Sequence, residues 1–70
     1  MADQTYAITH IVGTSPDGID QAIRNAVNKA GETLRNLDWF EVEEIRGFLA
    51  HENAIEHFQV TVKLGFRVDD

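Results

Sequence analysis

The chain has 70 residues, one domain's worth, and its twelve acidic against six basic side chains leave a net charge of −6. That balance argues against a nucleic-acid surface, whose affinity comes mostly from basic contacts to phosphate, and no apolar run approaches the roughly 18 residues of a membrane span. Without cysteine there is neither a disulfide nor a thiolate metal site, so a chain this small must rely on one good core or on assembly.

The N-terminal Met1-Ala2-Asp3-Gln4 lacks the basic start and apolar stretch of a signal peptide, which makes a cytoplasmic protein the default expectation. Thr5 to Val12 then alternates as a strand, with Tyr6, Ile8, His10 and Val12 on one face and Ala7, Thr9 and Ile11 on the other. Gly13-Thr14-Ser15-Pro16-Asp17 reads as a helix start: Ser15 as the cap, Pro16 in the first turn, Asp17 at the positive end of the dipole. Plain capping is favoured there over an anion site. Ile19, Ala22, Ile23, Ala26, Val27, Ala30 and Leu34 recur at helical spacing, which predicts one amphipathic helix from Pro16 to Arg35 with Asn36 as its stop. Gly31 inside it reads as a close-packing point.

The second strand is expected from Trp39 to Leu49. Its alternation slips, since Phe40 and Val42 share a face while Ile45 falls on the other, and a bulge near Glu43-Glu44 would reconcile them. His51-Glu52-Asn53 is the turn of a hairpin. The third strand is the most regular: Phe58, Val60, Val62, Leu64, Phe66 and Val68 point one way, and His57, Gln59, Thr61, Lys63 and Arg67 the other. The fold class is therefore α+β, in the order β-α-β-β, and residues 1–70 form a single domain.

Trp39, the one tryptophan, and Phe40 must point to opposite faces of the sheet. One faces the helix, and the other lies on a face the chain cannot cover itself. That face would carry Trp39, Glu41 and Glu43 from the second strand and Gln59, Thr61, Lys63 and Arg67 from the third. Three readings stay open: a solvated face, normal for an antiparallel sheet; a polar subunit interface; or a ligand site in which the indole stacks on a flat ring and the Gln59 amide pairs with its polar edge. Glu41, Glu43 and Glu44 are expected to pair with Lys63, Arg46 or Arg67. His10, His51 and His57 do not have metal-ligand spacing, and no nucleophile motif is present, so no catalytic or metal residue is assigned.

Ile11-Val12-Gly13-Thr14-Ser15, Leu37-Asp38-Trp39-Phe40-Glu41-Val42 and His57-Phe58-Gln59-Val60-Thr61-Val62-Lys63-Leu64-Gly65-Phe66 together resemble a dodecin, in order and over nearly the whole chain. Dodecins are small flavin-binding proteins that assemble as hollow shells of twelve subunits, with a three-stranded antiparallel sheet wrapped around one helix. The resemblance implies that Trp39 stacks on the isoalloxazine ring and that Gln59 contacts its polar edge. It also implies that Arg46 is the arginine of bacterial-type members, which bind flavin mononucleotide (FMN), and so points away from the archaeal type with its riboflavin-like ligands; riboflavin stays the alternative cofactor. Some of those members also bind coenzyme A, at a site not assigned to residues here. The implied role is flavin storage and suppression of flavin photochemistry in a homododecamer, without enzymatic activity. A flavin-dependent electron-transfer protein, or a structural or coenzyme A-binding shell, is the alternative.

Overall fold

The computed structural model describes residues 3–68; Met1 and Ala2 of the acidic N-terminal tetrapeptide lie outside the described residues. The elements run β1 (Tyr6–Ser15), α1 (Ile19–Ala30), β2 (Leu37–Leu49), a short 3-10 turn (His51–Asn53) and β3 (Ile55–Arg67). The predicted β-α-β-β order holds. The strands form one antiparallel sheet in the order β1-β3-β2, so the most regularly patterned strand is the central one.

The core is small. Val60, Val62 and Leu64 on the inner face of β3 meet Ala22, Ala26 and Ala30 on α1, with Ile11, Ile23, Val27, Leu34, Leu37 and Val42 packed around them. Three alanines one helical turn apart let the helix axis approach the sheet. Gly13 on β1 completes that approach, because a Cβ there would collide with the Ala22 carbonyl and the Ala26 methyl. The helix consequently packs on β1 and β3 and scarcely touches β2.

The helix is shorter than its apolar spacing predicts. β1 continues through Ser15, so Gly13-Thr14-Ser15 belongs to the strand and not to a helix start. Ser15 is buried, and its Oγ accepts a hydrogen bond from the Asp17 amide at 3.0 Å. The helix N-cap is Gly18, with no side-chain cap. The cause is the packing at Gly13: the chain must stay extended until it has passed beneath the helix it is about to form. At the other end the helix stops at Ala30, and Gly31 is its C-cap, exposed and with only ordinary contacts around it, not a packing point inside the helix. Leu34 and Asn36 lie in the connection that follows. Asn36 adopts a left-handed conformation at φ 65° and accepts a hydrogen bond from the Arg67 amide, which turns the chain into β2.

The long hairpin behaves differently. Its register shifts between Val42 and Glu44, where a bulge was expected, and again beside Asp38 and Leu49. Glu52 and Asn53, both left-handed, close the predicted turn, with the Ala50 amide donating to the Ala54 carbonyl at 2.7 Å. The arm projects well past the helix: the radius of gyration is 14.7 Å against about 11 Å for a compact chain of this length, and the longest dimension is 56 Å. Ile45, Phe48, Leu49 and Ile55 on this arm are exposed. No helix among the described residues is long and apolar enough to cross a membrane.

Candidate functional site

The outer face of the sheet is assembled by the register. From β1 it takes Tyr6, Ile8, His10, Val12 and Thr14, which stand opposite Arg67, Gly65, Lys63, Thr61 and Gln59 of β3. From β2, Trp39 stands opposite Gly65, Glu41 opposite Lys63, Glu44 opposite Thr61, Arg46 opposite Gln59, and Phe48 opposite His57. The bulge at Glu43 and Glu44 keeps Arg46 on the same face as Trp39, since without the extra residue the alternation would have sent it inward.

Trp39 occupies a niche that only glycine permits. A Cβ at Gly65 would fall on the indole at Nε1, Cε2 and Cζ2, so the ring lies over bare backbone. On one side it meets Tyr6, ring centroids 6.5 Å apart and tilted by 51°. The Tyr6 hydroxyl donates to Asp38 Oδ2 at 2.7 Å. The indole remains 38% exposed, supported from beneath and open above.

Phe40 points to the opposite side, paired with Leu64, as alternation requires. It is nonetheless 52% exposed, because the helix does not extend over β2. Phe40 lines two open clefts on the helix side, of about 280 and 130 Å³. The larger is bounded by Asp20, Ile23, Arg24, Val27 and Asn28, the smaller by Val27, Leu37, Asp38, Trp39 and Leu64.

Gln59 and Arg46 face each other across β2 and β3, with Phe48 and His57 stacked beside them at 4.6 Å and 11°. Arg46 is held along its own strand by Glu44, Nη2 to Oε1 at 2.9 Å, instead of across the ladder. This group is not brought to Trp39. Six positions of β3 separate Gln59 from Gly65, about 20 Å of strand, too far for one three-ring ligand to contact both ends. The three assigned residues thus divide into an indole shelf at one end of the sheet and an amide–guanidinium pair on the hairpin arm.

Between the two ends runs a band of charge. Glu41 Oε1 lies 3.3 Å from Lys63 Nζ, the expected cross-strand pair, and His10 Nδ1 lies 2.6 Å from Glu43 Oε1, spanning β3. His57 is engaged by Glu56 as well as by Phe48. No group of three or more metal-ligating side chains occurs among the described residues. The Tyr6–Asp38 contact and the Phe48–His57 stack were not anticipated. Each depends on register across two or three strands, for which alternation within one strand carries no signal.

A family model described as Dodecin matches residues 5–69. A curated Thermus thermophilus protein named Dodecin is 43% identical over 67 residues, 96% of either chain. Among solved structures, a dodecin from Streptomyces davaonensis is 59% identical, with a TM-score of 0.92 over 99% of this chain and all of its own. Dodecin from Streptomyces coelicolor is 54% identical, also with a TM-score of 0.92, over 100% of this chain and 99% of its own.

Proposed function

The chain belongs to the dodecin family, and on that premise we propose that it is a cytoplasmic flavin-storage protein that holds FMN between the subunits of a dodecameric shell. The observation that carries the reading is the Trp39 shelf: an indole seated over Gly65, braced on one side and open on the other, on a sheet face its own chain does not cover. A flat, electron-poor ring fits that opening, and an electron-rich indole is a suitable stacking partner.

The separation of the two residue groups supports a site built by more than one copy. Trp39 of one subunit would supply the stacking surface. Gln59 and Arg46 of another, carried outward on the hairpin arm, would supply the amide for the ring's polar edge and the cation for the phosphate. Bound flavin supplies a light-absorbing, redox-active ring. The protein's part is to exclude water, orient the ring and place the indole close enough to quench its excited state.

The test is titration of FMN into the purified protein, with flavin fluorescence and oligomer mass followed together. Saturable darkening of FMN by an assembled oligomer is expected. FMN that stays bright, or flavin that turns over steadily with a nicotinamide reductant and an acceptor, would contradict storage.

A further inference from the structure

Trp39 is the chain's one tryptophan and Tyr6 its one tyrosine, and the two rings adjoin each other. They come from opposite edges of the sheet. β1 and β2 do not pair, since β3 lies between them. Tyr6 nevertheless reaches across β3 to place its hydroxyl on Asp38, the residue before Trp39, at the register shift that begins β2. The indole that Tyr6 meets can lie against β3 because Gly65 beneath it has no side chain.

We propose that Tyr6 and Asp38 form a clasp that fixes the indole of Trp39 in its stacking orientation, making Tyr6 a positioning residue for the ligand. The inference rests on the storage reading given above. An indole over glycine has no side chain beneath it to set its rotamer, so some other group must restrain it if stacking is to be pre-organised. The Tyr6 ring limits its tilt from one side. The hydrogen bond to Asp38 ties Tyr6 to the backbone position next to Trp39, so ring and brace move together.

The titratable and charged groups facing Tyr6 are Asp38 on β2 and Arg67, its register partner on β3. The hydrogen bond to Asp38 raises the Tyr6 hydroxyl above the usual tyrosine range, helped by desolvation and the Asp38 charge and opposed by Arg67. Since the folded-state value is raised, the clasp is intact below the ordinary tyrosine value of about 10 and is lost as pH climbs through the higher folded value. With one tyrosine and one tryptophan, tyrosinate absorbance reports on Tyr6 and indole emission on Trp39.

The test compares wild type with Tyr6→Phe, which keeps the ring and removes only the hydroxyl, and with Asp38→Asn. Three readouts are taken on the assembled protein: Trp39 emission anisotropy without ligand, tyrosinate absorbance against pH, and FMN titration. Oligomer mass is checked for each variant. The expected result is lower anisotropy in both variants, a tyrosinate midpoint above about 10 in wild type that falls in Asp38→Asn, and FMN affinity about three- to tenfold weaker in Tyr6→Phe. Unchanged anisotropy and affinity in Tyr6→Phe, or a wild-type tyrosinate midpoint in the ordinary range, would overturn the clasp. Wild type that darkens FMN while Tyr6→Phe does so with equal affinity overturns the clasp alone. Wild type that leaves FMN bright overturns the storage reading and, with it, the purpose assigned to the clasp.

Discussion

The helix-covered part of the sheet and the projecting hairpin arm share the strand β3, yet they meet opposite physical conditions. Along its helix-facing side β3 is buried at Val60, Val62 and Leu64, and three alanines of α1 close over it. On the arm, Ile45, Phe48, Leu49 and Ile55 stay largely exposed, and so does Phe40, where β2 passes beyond the helix. The first region holds the fold of a single copy. The second is apolar surface that a lone chain leaves in water, which is unfavourable in proportion to its area and is relieved when that surface is covered. On the reading proposed above, the first region carries the stability of one copy and the second its assembly.

The largest effect is expected in the core. Leu64→Ala removes a fully buried side chain at the centre of the sheet and should cost about 2–5 kcal/mol of folding stability, whatever the protein concentration. Denaturant unfolding at two concentrations checks this. Phe40→Ala sharpens the contrast. In one copy its ring is half exposed, so a loss that grows with protein concentration would place it in an interface, whereas a constant loss would place it in the core of the single chain.

Flavin affinity probes the two ends of the outer face. Trp39→Ala should leave the ligand-free assembly intact and weaken FMN binding by about tenfold or more, with any flavin still bound brighter than in wild type. Gln59→Ala leaves ring donors and acceptors unpaired, at about 1–3 kcal/mol, and should lower affinity about tenfold with the oligomer intact. An unchanged dissociation constant would remove Gln59 from the site. The smallest effect concerns charge. Each subunit adds a net charge of −6, so added salt should strengthen assembly by screening that repulsion. Assembly that weakens steadily with salt would mean that ion pairs between copies outweigh it.

Much of this was legible in the order of residues. The period of two from Phe58 to Phe66 identifies the inner face of β3, whereas Val68, expected to continue it, lies past the strand end and is exposed; the slip between Val42 and Ile45 marks the bulge. The Trp39–Phe40 pair divides the faces correctly. The helix ends were less legible, because Ser15-Pro16-Asp17 has the chemistry of a helix start while Gly13, three positions earlier, must lie extended beneath Ala22 and Ala26. Strand order could not be read, since nothing within one strand states its neighbour. For the same reason the span from Trp39 to Gln59 was hidden: both carry the right chemistry for one ligand, and only the register places them about 20 Å apart. Phe40 was expected to face the helix, and it does point to that side, but alternation cannot tell how far a twelve-residue helix reaches.

The central claim, that the site exists only between copies, is tested most directly by titrating FMN into a folded chain that cannot assemble. Aspartate at both Leu49 and Ile55 burdens the exposed arm with charge while leaving the helix-covered core untouched. The account predicts a monomer by sedimentation that keeps the helical circular dichroism of wild type, retains Trp39, and leaves FMN bright. A folded monomer that darkens FMN with wild-type affinity would contradict it.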